Sequence, residues 1–135
     1  MNKVKYLLDT DICIYLIKNK SPELIEKVTE KDPGEIGISA ITLAELRLGI
    51  AKSKNSEKNS IALEKMLRPI EILPFDENAA FAYGEVRKEL EKAGTPIGPM
   101  DCLIASHAFS IDATVVTNNE REFKRVKKLK TENWS

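Results

Sequence analysis

Short apolar runs alternate along the chain with longer segments of helical periodicity. Runs rich in aliphatic and β-branched residues, bordered by turn-forming residues, predict strands at 4–8, 36–39, 70–74 and 113–117. Apolar residues spaced three and four apart predict helices over 21–31, 41–52, 60–67, 76–94 and 100–110. Strands joined by helical crossovers pair in parallel, so the prediction is an α/β fold, with a parallel β-sheet covered by helices on both faces.

The composition is that of an ordinary globular domain. With 135 residues, of which 42% are hydrophobic and 31% charged, the chain is expected to form a single domain over residues 1–135. Its 21 basic and 21 acidic residues cancel, so net charge alone does not indicate a nucleic-acid partner. Cys13 and Cys102 lie in apolar runs without metal-ligand spacing, which predicts buried thiols and a reducing compartment. With neither a signal peptide nor a membrane-spanning run evident, we expect a cytoplasmic protein without membrane contact.

Polar side chains cluster where the predicted strands end. In parallel α/β sheets, ligands bind beyond the carboxyl ends of the strands, where strand order reverses. Glu45 and Asp101 belong to early turns of helices that enter the same region. The residues directly after strands one, two and four are Asp9 and Asp11, then Ser39, then Thr117, Asn119, Glu120 and Glu122. We therefore expect the acids to converge.

Each acid also has a purely structural interpretation. Asp11 could cap the first helix, Glu45 could form a capping box with Thr42, and Asp101 could complement a helix dipole. These interpretations do not explain the apolar surroundings of Asp9 and Asp101, where an unpaired charge is costly. Three carboxylates within about 5 Å would repel by roughly 3 kcal/mol per pair at an effective dielectric of 20. A divalent cation relieves that repulsion, and all-oxygen ligation favours Mg²⁺ or Mn²⁺ over zinc.

Other catalytic chemistries find little support. His107 is the only histidine, and it follows Asp101 by six residues, which turns it about 240° away on a helix. We expect it to serve in packing, which removes the base from any Ser/His/Asp or Cys/His scheme. A glycine-rich phosphate loop is also missing from the sequence. Metal chemistry is the best-supported prediction.

The segment 121–130 carries a local positive charge, with six basic residues and one acid. It can be a solvated helix face, or it can hold a polyanionic backbone beside the predicted metal site. The candidate RNA-binding residues are Arg121, Lys124 and Arg125.

Four stretches carry a family resemblance: LLDTDICIYLI, ISAITLAELRLGI, GTPIGPMDCLIASHA and VVTNNEREFKRVKKLKTENW. Together they resemble PIN-domain ribonucleases, specifically the VapC toxins of VapBC toxin–antitoxin pairs, over essentially the whole chain. The resemblance implies a PIN-like three-layer α/β/α sandwich and an endoribonuclease dependent on Mg²⁺ or Mn²⁺. The motifs are most similar to the subgroup that cuts initiator tRNA in its anticodon loop.

The resemblance also implies partners and residue roles. It implies a homodimer neutralised by a VapB-type antitoxin, with apolar residues around 12–17 and 43–50 available for contacts. Asp9, Glu45 and Asp101 match the three family acids that ligate metal and carry catalysis. At the fourth acid position stand Asn118 and Asn119, so Glu122 becomes the further catalytic candidate and Glu120 a possible ligand. Thr10, Ser39 and Thr117 match hydroxyls that orient the carboxylates, Asn119 is a possible ligand, and Asp11 stands where related toxins commonly carry Asn.

Two rival functions are retained. The chain could be a non-catalytic RNA- or protein-binding module on a PIN-like scaffold. Less favoured is a haloacid-dehalogenase-type phosphatase, in which Asp9 is phosphorylated and Asp11 acts as acid and base; that chemistry also needs a lysine and a paired acidic motif later in the chain. Cleavage of RNA, release of phosphate from a small ester, or neither would separate the three.

Overall fold

The computed structural model describes residues 3–135, which form an α/β fold. The strands are β1 (Tyr6–Leu8), β2 (Ile36–Ser39), β3 (Glu71–Leu73), β4 (Thr114–Val116) and β5 (Thr131–Glu132). The helices are α1 (Thr10–Ile17), α2 (Pro22–Glu30), α3 (Ala40–Lys52), α4 (Ser56–Leu67), α5 (Glu77–Ala93), α6 (Pro99–Ser110) and α7 (Glu120–Phe123).

All strand pairs are parallel, in the order β3-β2-β1-β4-β5. Tyr6 pairs with Ile36 on one side and with Thr114 on the other, so β1 is central. The chain moves outward from β1 through β2 to β3 and then crosses back to the far side of β1. The strand order therefore reverses between β1 and β4, which is where a ligand is expected in such a sheet.

The hydrophobic core lies on both faces of the sheet, as the pattern predicted. Neighbouring residues of β1 point to opposite faces: Leu7 packs in one cluster and Leu8 in the other, and both are fully buried. The first cluster holds residues of α5 and α6 together with Phe123 and Val126. The second holds residues of α1 to α4 together with Trp134. The three-layer α/β/α sandwich is confirmed.

The predicted helices form, with some changes at their ends. The Ser21 hydroxyl accepts from Leu24 N at 3.2 Å at the start of α2, and Gly94, with φ +70°, ends α5 in the left-handed region that glycine tolerates. The predicted start of the fourth helix at residue 60 is wrong, because its polar first turn from Ser56 is helical as well.

Two expectations for the C-terminal region are corrected. The two-residue strand β5 was not predicted, because a segment this short and polar carries no strand pattern. Only one turn of the basic segment is helical, since α7 ends at Phe123. A solvated helix face over 121–130 is therefore wrong.

Cys13 and Cys102 are free and buried, as predicted. Among residues 3–135, every helix is too short or too polar to cross a bilayer.

Candidate active site

A cleft of about 230 Å³ opens beside the carboxyl end of β1. The residues that line it are Asp9, Thr10, Asp11, Glu45, Asp101 and Asn119. Four of these six side chains are acidic and none is basic. Residues from α1, α3, α6 and the β4–α7 loop thus meet in one place, and the predicted convergence of Asp9, Glu45 and Asp101 occurs.

Asp9 is held firmly at the end of β1. Its backbone N–H donates to Val116 O at 3.1 Å, its carboxylate accepts from Ile12 N at 2.9 Å, and the Thr117 hydroxyl also hydrogen-bonds to it. Its side chain is almost fully enclosed, at 4% exposure. Burial raises the pKa of Asp9 to about 6, although these hydrogen bonds oppose the rise.

Asp9, and not Asp11, is the N-cap of α1. The structural interpretation of Asp11 as a cap is therefore wrong: the helix begins at Thr10, two residues earlier than a cap at Asp11 would require, and Asp11 lies in its first turn. Asp11 is exposed at the edge of the cleft. Its carboxylate adds negative charge to the site.

Glu45 is positioned by α1 through a side-chain hydrogen bond. The Thr10 hydroxyl donates to Glu45 Oε1 at 2.5 Å, in agreement with the predicted orienting role of Thr10. The capping box between Thr42 and Glu45 is wrong, because Ser39 caps α3 and Thr42 lies inside the helix. Thr42 is fully buried, and its hydroxyl oxygen has no hydrogen-bond partner among the described residues.

Asp101 is the third residue of α6 and half-buried at the cleft. Its pKa is raised to about 7, first by burial and then by repulsion from Glu122, Asp9, Glu45 and Asp11. The charge of these acids is thus poorly compensated by the protein itself. A site of this kind takes up either protons or a cation.

The two candidates for a fourth carboxylate lie outside the cleft lining. Glu122 accepts from Gly98 N at 2.8 Å and from Asn119 Nδ2 at 2.7 Å. It therefore ties the start of α6 to the β4–α7 loop, close to Asp101. Glu120 instead accepts from the Thr131 hydroxyl at 2.9 Å and lies 3.8 Å from Lys124 Nζ, so it supports β5. The Gly98 contact was not anticipated, and its only sequence signal is the Gly98-Pro99 pair at the start of α6.

Of the two remaining hydroxyls predicted to orient a carboxylate, Thr117 does contact one and Ser39 does not. Thr117 is fully buried and contacts Asp9, as expected; it also accepts from Asn119 N at 2.8 Å. Ser39 does not orient a carboxylate among the described contacts: its oxygen accepts from Ile41 N at 3.1 Å and lies 2.8 Å from His107 Nδ1. His107 is 2% exposed, which confirms the packing interpretation.

The donor chemistry of the cleft fits a hard divalent cation. Within the described part of the chain, no three Asp, Glu, His or Cys side chains are already arranged to hold one ion directly. Magnesium keeps several of its waters and commonly uses only one or two protein carboxylates. Oxygen donors around an open, acidic cleft suit such a hydrated ion. Because no basic side chain lines the cleft, the negative charge of the acids is available to a bound cation.

The basic segment is exposed but partly engaged. Lys124 faces Glu120, Arg125 Nη1 donates to Pro96 O at 2.7 Å, and Lys130 Nζ lies 3.1 Å from Asp112. Arg121, Lys127 and Lys128 point to solvent with no ion pair within residues 3–135. Arg125 therefore holds the loop before α6 as well as contributing positive charge.

The raised pKa values predict an unusual pH dependence of stability in the metal-free protein. Between about pH 4 and pH 7 the folded chain binds more protons at Asp9 and Asp101 than the unfolded chain does, so their contribution to the free energy of unfolding falls as pH rises. The loss from about pH 5 to pH 8 is on the order of 1–3 kcal/mol for the pair after solvent screening. In urea unfolding with EDTA, the free energy of unfolding of Asp101→Asn should therefore exceed that of the parent chain by a larger margin at pH 8 than at pH 5. An equal difference at both pH values would contradict this.

Comparison with known proteins agrees with the fold. The PIN domain family model matches residues 6–129. Ribonuclease VapC2 of Rickettsia felis is 48% identical over 131 residues, covering 96% of this chain and 97% of that protein. The tRNA(fMet)-specific endonuclease VapC of Shigella flexneri is 44% identical over 132 residues, covering 98% and 99%.

The same agreement holds in three dimensions. The crystal structure of VapBC2 from Rickettsia felis bound to a DNA fragment from their promoter contains a chain with a TM-score of 0.91 and 42% identity. The match covers 98% of this chain and all of that one. This chain belongs to the PIN domain family, in its VapC ribonuclease group.

Proposed function

We propose that this protein is a divalent-metal-dependent endoribonuclease that acts as the toxin of a toxin–antitoxin pair. The observation that carries the proposal is the meeting of Asp9, Glu45 and Asp101 in one cleft at the switch point of a parallel sheet, with no basic residue in the lining. Metal-assisted hydrolysis of a phosphodiester uses such an arrangement, in which oxygen donors hold the metal ion next to the phosphate.

In the proposed reaction, Asp9, Asp101 and Glu45 would hold Mg²⁺ or Mn²⁺. The metal, when bound, lowers the pKa of a water and neutralises charge on the phosphate. Thr10 and Thr117 fix the orientation of Glu45 and Asp9 through their hydroxyls. Water attacks phosphorus and the bond to the 3′ oxygen breaks, which leaves a 5′-phosphate and a 3′-hydroxyl.

Glu122 has a supporting place in this scheme. Both of its carboxylate oxygens accept hydrogen bonds, from Gly98 N and Asn119 Nδ2. We propose that Glu122 contributes negative charge beside Asp101 and holds the β4–α7 loop. It can act in catalysis only if one of these two hydrogen bonds is released. Asp11 and Asn119 lie at the cleft edge, where they can contact waters of the metal.

The substrate we propose is tRNA, with initiator tRNA first among the candidates. The Shigella flexneri relative carries the name tRNA(fMet)-specific endonuclease, at 44% identity over nearly the whole chain. Arg121, Lys124 and Arg125 are exposed in the segment that follows Asn119 of the cleft, and their positive charge suits contacts with a phosphate backbone and recognition by shape more than by sequence.

The partners we propose are a VapB-type antitoxin and a second copy of the chain, in the cytosol. A structure of VapBC2 from Rickettsia felis contains a closely similar chain. Leu48 and Ile61, on neighbouring helices α3 and α4, are more than half exposed, which gives a partner apolar surface to cover.

The rival functions make different demands on the cleft. A phosphatase that phosphorylates Asp9 needs a lysine to stabilise the phosphoryl group, and no lysine lines the cleft. A non-catalytic module does not need three acids in one place, where their repulsion costs stability. The structure thus favours the nuclease over both.

The test is cleavage of a total tRNA pool by purified, antitoxin-free protein. With Mg²⁺ or Mn²⁺ we expect a discrete fragment that carries a 5′-phosphate, and in EDTA we expect none, because the water and the phosphate then lack the cation that would activate them. Release of phosphate from a small ester without RNA cleavage would favour the phosphatase. Absence of both reactions with tRNA and with total RNA would favour the binding module.

A further inference from the structure

His107 and Ser39 form a buried polar contact between the two helices that carry Asp101 and Glu45. His107 Nδ1 lies 2.8 Å from Ser39 Oγ, and both side chains are enclosed, at 2% and 0% exposure. The two residues are 68 positions apart in sequence. This is a tertiary contact that joins α6 to the junction of β2 and α3.

Both partners are placed to act on the acids through rigid helix. Ser39 is the N-cap of α3 and lies six residues before Glu45; His107 lies six residues after Asp101 in α6. Six residues of helix rise about 9 Å, without a glycine or proline in either stretch to break the helix. A change at the contact can therefore be transmitted along both helices to the acids.

The Ser39 hydroxyl can satisfy both of its neighbours at once. Ser39 Oγ accepts from Ile41 N at 3.1 Å and keeps its own proton and a second lone pair, so it can donate to His107 Nδ1 or accept from it, according to the tautomer of the ring. The ring is also held edge-on by Phe75, with ring centres 5.4 Å apart and planes at 83°. A side chain held from two elements keeps one rotamer.

We propose that His107 is a positioning residue that, through Ser39, sets the separation of Asp101 and Glu45 at the metal cleft. The proposal deepens the proposed nuclease function and depends on it for the role of the two acids. His107 is not among the residues that line the cleft, so the proposed role is indirect. The proposed effect of His107 is on the affinity with which Asp101 and Glu45 together bind one metal ion.

The experiment compares three substitutions at the contact with one control. His107→Phe keeps a ring against Phe75 and removes the hydrogen bond; His107→Asn restores a polar group near the Nδ1 position; Ser39→Ala removes the contact from the other side. Ser106→Ala is the matched control, because its buried hydroxyl, on the same helix, bonds only to Cys102 O at 2.7 Å within α6. Urea unfolding first establishes that each variant is folded.

Calorimetric titration with Mn²⁺ alone is the first readout, and the kcat and KM of tRNA cleavage are the second. We expect His107→Phe and Ser39→Ala to weaken Mn²⁺ binding and lower kcat by about 10-fold or more, with KM within about twofold. His107→Asn should recover most of the loss, and Ser106→Ala should match the parent. The double variant that combines His107→Phe with Ser39→Ala should be no worse than the poorer of these two single variants.

Folded His107→Phe or Ser39→Ala protein with parent Mn²⁺ affinity and kcat would overturn the proposal. So would a loss that His107→Asn does not recover, or one that Ser106→Ala reproduces, since either result indicates general loss of packing. The Mn²⁺ titration needs no RNA. A parent protein that binds Mn²⁺ and cuts no RNA would contradict the nuclease function while the comparison of metal affinities still decides the role of His107.

Discussion

Replacing Asp101 by asparagine is expected to lower RNA cleavage by at least about 100-fold while the fold is retained. The substitution keeps the volume of the side chain and removes the charge that a metal ion needs. It also removes a carboxylate whose pKa is raised to about 7 by burial and by four neighbouring acids. The metal-free variant should therefore be more stable than the parent chain at pH values above 7.

Gel analysis of tRNA fragments measures the first effect, and urea unfolding in EDTA measures the second. Asp112→Asn is the matched control, because Asp112 follows the other end of the same helix, is exposed and pairs with Lys130. Its backbone has φ +55°, which asparagine tolerates well. Cleavage by Asp101→Asn near the parent rate, or an equal loss in Asp112→Asn, would contradict the assignment.

The second large effect is expected at Asp9, where asparagine and alanine should differ in stability and agree in activity. Both substitutions remove the charge and should abolish cleavage to a similar degree as Asp101→Asn. Asparagine can still accept from Ile12 N as the N-cap of α1, whereas alanine cannot. Asp9→Ala should therefore be less stable than Asp9→Asn by about 1 kcal/mol.

Urea unfolding of the two metal-free variants measures this difference. Ser21→Ala is the control: it removes the cap of α2, which accepts from Leu24 N, and should lose about 1 kcal/mol of unfolding free energy with cleavage unchanged. Equal stability of Asp9→Asn and Asp9→Ala would show that the cap does not stabilise α1. Cleavage by either variant would remove Asp9 from the metal site.

The pattern of apolar residues was sufficient to predict the architecture. Buried strands and amphipathic helices leave a strong periodic signal, and four strands, their parallel pairing and the helices on both faces follow from it. The strand β5 escaped prediction because two polar-flanked residues have no period to detect. Its pairing depends on β4, which offers open backbone groups at that edge of the sheet.

The meeting of Asp9, Glu45 and Asp101 could also be predicted, because the ends of parallel strands and the helices after them share one edge of the sheet. Which acid caps α1 could not be predicted, since a shift of two residues at the helix start exchanges Asp9 and Asp11, and only the backbone geometry decides it.

Local sequence determined the strands, the helices and the acids that reach the cleft, because these depend on spacing within a few residues. The tertiary structure alone decided the contacts between distant residues: Thr10 on Glu45, Glu122 on Gly98, and Ser39 on His107 rather than on a carboxylate. From the sequence alone, a hydroxyl or carboxylate could hydrogen-bond to any of several polar groups. Its actual partner is selected by which helices pack together, and that depends on the whole core at once.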